Sequence, residues 1–184
     1  MGDITQLIAQ ARSGDRSAFD SLFQLLYPEL RRIAHGRLAR NVRDTLMSTT
    51  ALVHECYLKL LQSERLKPED RAHFLAYAAS AMRSIVVDTA RASLAERRGG
   101  AAEHLPLDTG VAESVGAAEE QILDVDVALG ELAQLDPRLA RVVEMRYFGG
   151  MKDTEIAEAL GLTDRTVRRD WEKARLLLAH ALRD

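Results

Sequence analysis

The chain has 184 residues, a length that suits one or two small domains, and its single cysteine excludes an intrachain disulfide. Hydrophobic residues make up 47% of the sequence and aromatic residues only 5%, a composition that favours helices over strands. The formal net charge of −3 excludes nucleic-acid binding through overall charge, so any such role needs locally clustered cations. The sequence has no signal peptide and no apolar run of membrane-spanning length, so we expect a soluble, cytoplasmic protein with no membrane contact.

Four helices are predicted in the first half of the chain. Apolar residues at three- and four-residue spacing mark residues 3–15, and then a second helix that Asp15 or Ser17 begins. Pro28 predicts a kink or a break in that second helix. Residues 49–61 and 71–96 form the next two helices, and the polar segments before each of them indicate loops.

Cys56 follows His54 and Glu55, three residue types that can bind a metal. Consecutive residues lie on different faces of a helix, so the three side chains cannot converge on one ion. We therefore predict no metal site and no cofactor, and the lone thiol indicates a reducing compartment.

Residues 99–118 differ in character from the helices on either side. They contain four glycines, one proline and scattered acidic residues, which is typical of a linker. Apolar periodicity resumes beyond this segment, and Asp136 followed by Pro137 marks a capped helix start. The sequence therefore predicts an all-α protein with a helical domain at 1–98, a flexible linker at 99–118 and a second helical domain at 119–184.

The segment 151–175 has the pattern of a helix-turn-helix. Gly161 ends its first helix, because glycine enters the left-handed conformation at little cost, and Thr163 or Asp164 caps the second. Val167, Trp171 and Ala174 form the apolar stripe of the second helix. Such a helix enters the major groove of DNA with its polar face. The candidate DNA-binding residues on that face are Arg165, Thr166, Arg168, Arg169, Lys173 and Arg175.

Three motifs in order resemble the extracytoplasmic-function sigma factors of bacterial RNA polymerase, and the resemblance covers nearly the whole chain. Residues 13–19 with 26–30 resemble the family's first helices, and residues 52–60 resemble its "LVQE" helix. Residues 135–174 resemble its C-terminal helix-turn-helix pattern. The resemblance implies core RNA polymerase and promoter DNA as partners, and an anti-sigma factor as one candidate regulator. The other candidate regulator, a Ser/Thr kinase, rests on the hydroxyl residues at 48–50.

The resemblance also implies a division of labour. The domain at 1–98 would dock on the polymerase clamp, through Leu52, His54 and Glu55, and open the −10 element, while the domain at 119–184 would bind the −35 element. Residues 82–98 resemble the segment that holds the melted non-template strand. The candidate contacts in that segment are Arg83, Ser84, Arg91, Arg97 and Arg98. Ser84 stands where several family members have an asparagine that holds a flipped base.

The sequence departs from the family just before the "LVQE" helix. Where family members carry an acidic cluster that faces the clamp, this chain has Ser48, Thr49 and Thr50. One interpretation is ordinary capping of the following helix. The other is a phosphorylation switch, with Thr50 as the first candidate, because a phosphate near a helix N-terminus would restore negative charge.

Two other functional classes remain open from the sequence. One is a one-component helix-turn-helix regulator, which would bind its operator alone as a dimer and act without core polymerase. The other is a helical adaptor or anti-sigma-like protein, which the basic recognition helix argues against. An enzyme is not expected, because we find no nucleophile–base pair, no phosphate-binding glycine loop and no paired acids.

Overall fold

The computed structural model of the chain describes residues 2–37, 47–63, 68–99 and 109–182. Within these ranges the chain forms eight α-helices and no β-strand. In chain order the helices are α1 (Gly2–Arg12), α2 (Arg16–Arg37), α3 (Thr49–Leu61), α4 (Arg71–Gly99), α5 (Thr109–Leu135), α6 (Pro137–Tyr147), α7 (Asp153–Leu160) and α8 (Asp164–Ala181). The predicted all-α fold class is confirmed.

Short polar side chains begin several of these helices. Asp15 Oδ1 accepts the backbone N–H of Ser17 at 2.9 Å, so Asp15 caps α2. Asp136 Oδ1 accepts the N–H of Arg138 at 3.1 Å, and Pro137 occupies the first turn of α6, as predicted. Each cap satisfies donors that the first turn of a helix leaves unpaired.

The N-terminal helices pack around an aromatic cluster. The ring centroid of Phe19 lies 6.3 Å from those of Phe23 and Phe74, and the Tyr57 ring meets Phe23 edge-on at 5.0 Å. Phe74 is fully buried in the first turn of α4. Since aromatic side chains bury large apolar areas, this cluster binds α2, α3 and α4 together despite the low aromatic content.

Pro28 does not break α2. The helix runs from Arg16 to Arg37 with Pro28 inside it. Proline lacks the backbone N–H and costs helix stability locally, but the buried side chains of Leu26 and Leu30 hold both sides of it in the core.

The helix that follows the predicted linker begins earlier than the apolar periodicity indicates. Helix α5 starts at Thr109, so residues 109–118 of the predicted linker are helical, and Gly99 closes α4. Residues 100–108 lie outside the described part of the chain. Alanine and glutamate are strong helix formers and dominate residues 112–120, which explains a helix here despite Gly110 and Gly116.

Apolar packing continues across the two predicted domains. Helix α4 packs against α3 and also against α5, α6 and α7. The apolar cluster that contains Phe74 and Met82 also contains Met145 of α6 and Ile156 of α7. A second cluster, around Leu129, joins α5, α6 and α8. Helix α4 is therefore the element on which both halves of the chain meet.

Cys56 lies in this core, and burial raises the pKa of its thiol to about 12. Because the thiolate is the reactive form, we expect iodoacetamide to leave the native protein unlabelled in mildly alkaline buffer and to label it fully after denaturation. Folding raises this pKa from 9.0, so the contribution of the neutral thiol to stability is complete below about pH 9 and declines as the pH rises towards 12.

Urea unfolding across this alkaline range, followed for the wild type and for Cys56→Ala, measures that decline. The part of the pH-dependent loss of stability that the thiol causes should be absent from Cys56→Ala. Native labelling at the rate of a free cysteine peptide would contradict the buried, protonated thiol.

Candidate nucleic-acid interface

Helices α7 and α8 form the predicted helix-turn-helix. Gly161 adopts φ +63°, a left-handed conformation that ends α7 and that residues other than glycine rarely adopt. Thr163 is extended, and its Oγ1 accepts the backbone N–H of Thr166 at 3.3 Å, so Thr163 rather than Asp164 caps α8. The turn thereby sets the direction in which α8 leaves the domain.

The inward stripe of α8 is the one that the spacing predicts. Val167 and Ala174 are fully buried, and Trp171 is half-buried beneath the guanidinium of Arg146, whose Cζ lies 4.7 Å from the ring centroid. Arg146 also pairs with Asp153 at 2.7 Å. These contacts fix the rotation of α8 about its own axis, so its opposite face points to solvent.

That outer face carries the predicted DNA-binding cations. Arg165 is exposed and makes no hydrogen bond or ion pair within the described residues. The Arg168 and Arg169 side chains are 69% and 74% exposed, with only long contacts, at 3.5 Å to Asp153 and 3.9 Å to Asp170. Because both guanidinium groups are mostly in water and both contacts are long, these ion pairs are weak, and the two groups can turn towards a ligand.

The remaining predicted residues of α8 differ in availability. Lys173 and Arg175 are exposed further along the helix, at contacts of 3.9 Å to Asp136 and 3.2 Å to Glu172. Thr166 is half-buried, and its hydroxyl lies 3.0 Å from the Thr163 hydroxyl. Thr166 therefore takes part in the cap, while the side chains of the cations are exposed.

The predicted contacts on α4 lie in a different environment. Arg83 is 20% exposed and is held by Asp126 of α5 and Glu144 of α6, and Arg91 pairs with Asp126 at 3.0 Å. Arg97 pairs with Glu119 of α5. The side chain of Arg98 lies outside the described part of the chain. These arginines are therefore engaged by the second half of the protein.

Ser84 is also engaged. Its Oγ accepts from Lys59 Nζ at 2.6 Å and donates to Asp88 Oδ2 at 3.3 Å, so it links α3 to α4 at the surface. The asparagine that the family resemblance implies at this position is thus replaced by a small hydroxyl within a charged pair.

The three hydroxyl residues at the start of α3 differ in role and in exposure. Ser48 caps the helix, because its Oγ accepts the N–H of Ala51 at 3.1 Å. Thr49 is half-buried and Thr50 is exposed, both in the first helical turn. The helix therefore begins with an accessible hydroxyl and has no acidic residue in its first turn.

The structure corrects one residue of the predicted polymerase-binding set. Leu52 is fully buried in the core, since it lies on the inward face of α3, and is not available to a partner. His54 and Glu55 are exposed on the same helix. A partner could therefore reach only the outward residues of α3.

Three carboxylates that position this interface were not identified from the sequence. Asp170 is 3% exposed and pairs with Arg138 at 2.8 Å, which joins α8 to α6. Its spacing from Val167 and Ala174 places it on the buried stripe, and that signal could have identified it. Asp126 and Glu144 meet Arg83 from separate helices, and no sequence pattern indicates that meeting.

Other kinds of site were sought in the described ranges. They contain no group of three or more His, Cys, Asp or Glu residues arranged to hold a metal ion. None of the described helices is both long and apolar enough to cross a membrane.

Comparison with known proteins identifies one similarity. The model of a family described as "ECF sigma factor" matches residues 1–184, the whole chain. No curated protein and no solved structure matches. The match agrees with the motif order, and it does not favour a regulator that acts without polymerase.

Proposed function

Since the chain belongs to the ECF sigma factor family, whose members direct transcription by core RNA polymerase, we propose how its surfaces share that work. Helix α8 binds the upstream −35 element, α4 holds the melted strand of the −10 element, and the outward face of α3 docks on the polymerase clamp. Recognition of the two elements by separate halves of the chain is the arrangement that the motif order supports.

The observation that carries this proposal is the exposed face of α8. Its inward stripe is fixed by Val167 and Trp171, and its outer face presents Arg165, Arg168 and Arg169 from the first two turns. Arginine forks donate in pairs to guanine in the major groove, and more distal cations suit phosphates. Local cation clustering thereby supports DNA binding in a chain whose net charge is −3.

A transcription assay tests the function. Core RNA polymerase should start transcripts at discrete sites on fragmented genomic DNA only when this protein is added, in its modified form if the switch proposed below operates. Sequence-specific binding by the protein alone, with no change in polymerase output, would instead indicate a regulator that acts without polymerase.

The start of α3, on the proposed docking surface, also supports a mechanism of activation. Its first turn has no acidic residue, and Thr50 presents an exposed hydroxyl there. A phosphate on that hydroxyl carries about −1.5 to −2 charges at neutral pH and lies at the positive end of the helix dipole. We therefore assign activation of the factor to phosphorylation, with a Ser/Thr kinase as the activating partner.

Thr50 is favoured over its neighbours on physical grounds. The Ser48 hydroxyl already accepts a backbone hydrogen bond as the cap, and its modification would disturb the helix start. Thr49 is half-buried, whereas Thr50 is exposed and one helical turn before the exposed His54. A phosphate at Thr50 therefore leaves the cap in place.

Protein with phosphothreonine at position 50 is expected to bind core polymerase at least about tenfold more tightly than unmodified protein. One charge-assisted contact contributes ~1.5–3 kcal/mol, and each tenfold corresponds to about 1.4 kcal/mol. Surface plasmon resonance on immobilised core polymerase measures this difference.

Ser48→Ala is the matched control for the switch. It removes the helix cap but should retain the response to phosphate at position 50, whereas Thr50→Ala should show no kinase-dependent gain. Equal affinity and equal transcription for the unmodified and phosphorylated proteins would overturn the switch and leave the sigma-factor assignment intact.

A further inference from the structure

The three arginines in the first two turns of α8 differ in the carboxylates that they face. Arg165 makes no ion pair within the described residues. Arg169 lies 3.9 Å from Asp170 of its own helix, and that carboxylate is already held by a shorter pair to α6. Of the three, in the part of the chain that the structure describes, only Arg168 faces a carboxylate of α7, because its Nε lies 3.5 Å from Oδ2 of Asp153.

Asp153 is held in place by a second arginine. It is the first residue of α7, and its side chain is 21% exposed. Its Oδ1 lies 2.7 Å from Nη2 of Arg146, whose Cζ lies 4.7 Å from the ring centroid of Trp171 on α8. The short contact uses one carboxylate oxygen and leaves the other for Arg168. Asp153 is therefore a fixed acceptor beside a mobile side chain.

The contact with Asp153 leaves the outer nitrogens of Arg168 available. A guanidinium donates through Nε and through both Nη atoms, and Asp153 faces only Nε. The Arg168 side chain is 69% exposed and makes no other ion pair within the described residues. Paired donation to O6 and N7 of a guanine needs two N–H groups of one guanidinium, which the Nη atoms supply. Arg168 can thus bind Asp153 and a guanine at the same time.

A fixed carboxylate beside an arginine favours base recognition over phosphate binding. A long side chain loses rotamer freedom when it is ordered on DNA, and a partner that already restrains it lowers that loss. The contact is weak in water, and it strengthens when DNA displaces water from the site, because the local dielectric constant falls. The carboxylate also offsets the positive charge of Arg168, which weakens its attraction to phosphates but leaves its geometric match to guanine.

We propose that Asp153 is a positioning residue for the recognition helix: it holds Nε of Arg168 so that both Nη atoms donate to one guanine of the −35 element. Asp153 thereby sets the base preference at a base pair that it does not itself contact. This inference rests on the proposed function, since it concerns the α8 surface that binds the −35 element.

The test uses the full chain bound to core RNA polymerase, with matched charge changes on α7. Asp153→Asn keeps the size of the side chain and removes its charge. Glu158→Gln is the control, because Glu158 is exposed on α7 and makes no ion pair within the described residues. Asp153→Ser is a second variant, whose side chain is too short to reach α8. Circular dichroism should show equal helix content for all of them.

The readout is the base preference at each position of the upstream promoter element. One natural promoter is prepared with each base pair of that element changed in turn to the other three, and transcript yield is compared. Arg168→Ala should relax the preference for guanine at one position. Asp153→Asn and Asp153→Ser should relax it at the same position by about fivefold, the lower end of the range for a whole base contact. Glu158→Gln should keep the wild-type preference.

A double-mutant cycle separates positioning from a general effect on the domain. In the Arg168→Ala background, Asp153→Asn should cause no further loss of base preference, because the side chain that it positions is absent. A carboxylate in the first turn of a helix also stabilises that helix, and loss of this role alone would lower the yield from all promoters by the same factor. An equal change on all four bases, or an undiminished effect without Arg168, would overturn the proposal.

The proposal and the function on which it rests fail in different ways. If the wild type discriminates at the position that Arg168→Ala relaxes and both Asp153 variants discriminate equally well, the positioning role fails and the proposed function stands. If the wild-type holoenzyme shows no base preference anywhere in the upstream element, the assignment of α8 to the −35 element fails, and the role of Asp153 fails with it.

Discussion

Alanine at Arg168 or at Arg169 is expected to reduce promoter-dependent transcription by roughly one to two orders of magnitude. Both guanidinium groups lie on the exposed face of α8 and are held only by long contacts, at 3.5 Å to Asp153 and 3.9 Å to Asp170. A lost bidentate base contact costs ~1–3 kcal/mol, which is about 5- to 150-fold. Run-off transcription with core polymerase on a natural promoter measures the effect.

A base contact and a phosphate contact can be distinguished by how DNA binding depends on sequence and on salt. Loss of a base contact should relax the preference at one promoter position, whereas loss of a phosphate contact should weaken all sequences alike and lower the salt slope by about one. Arg12→Ala is the matched control, because Arg12 is exposed on α1 and has no ion pair within the described residues. Unchanged output for both α8 variants would exclude this helix from DNA recognition.

Arg138→Ala is expected to destabilise the folded protein by about 2–3 kcal/mol. Its guanidinium binds Asp170 through two nitrogens, at 2.8 and 3.3 Å, while Asp170 is 3% exposed. Removal of the cation leaves a buried carboxylate whose nearest other cation is Arg169, at 3.9 Å. Breaking a fully buried pair costs ~3–5 kcal/mol, and because the Arg138 side chain is half-exposed, this case falls just below that range.

Urea unfolding followed by circular dichroism measures that loss. Asp170→Asn should cost less, because it removes the buried charge and keeps an acceptor for Arg138. Arg141→Ala, an exposed arginine on the same helix without an ion pair in the described ranges, should stay within about 0.5 kcal/mol of the wild type. Equal midpoints for Arg138→Ala and Arg141→Ala would show that Asp170 does not depend on its partner.

Local features of this protein were predictable because they depend on short spacings. The glycine stop at Gly161, the inward Val167 and the cap at Asp136 all concern residues within one or two turns, and the structure confirms each. The basic face of α8 follows from the same periodicity, since a buried stripe leaves the opposite face to solvent. The helical class likewise follows from composition and periodicity.

The start of α5 and the accessible face of α3 were less predictable. A glycine-containing segment without apolar periodicity indicated a linker, yet residues 109–118 are helical, because alanine and glutamate form helix without a buried stripe of their own. Leu52 was assigned to a contact surface through a motif, although its place on the inward face of α3 buries it. A motif identifies a helix, and only packing decides which of its faces remains accessible.

The sequence by itself determined the all-α class, the helix-turn-helix and the family, because these depend on neighbours along the chain. Tertiary structure alone decided which charges meet. Arg83 finds Asp126 and Glu144, 43 and 61 residues away, and Asp170 finds Arg138, 32 residues away. Charged residues carry no periodicity that specifies a distant partner. The ion pairs that join α4 to α5 and α6 therefore become visible only in the packed structure.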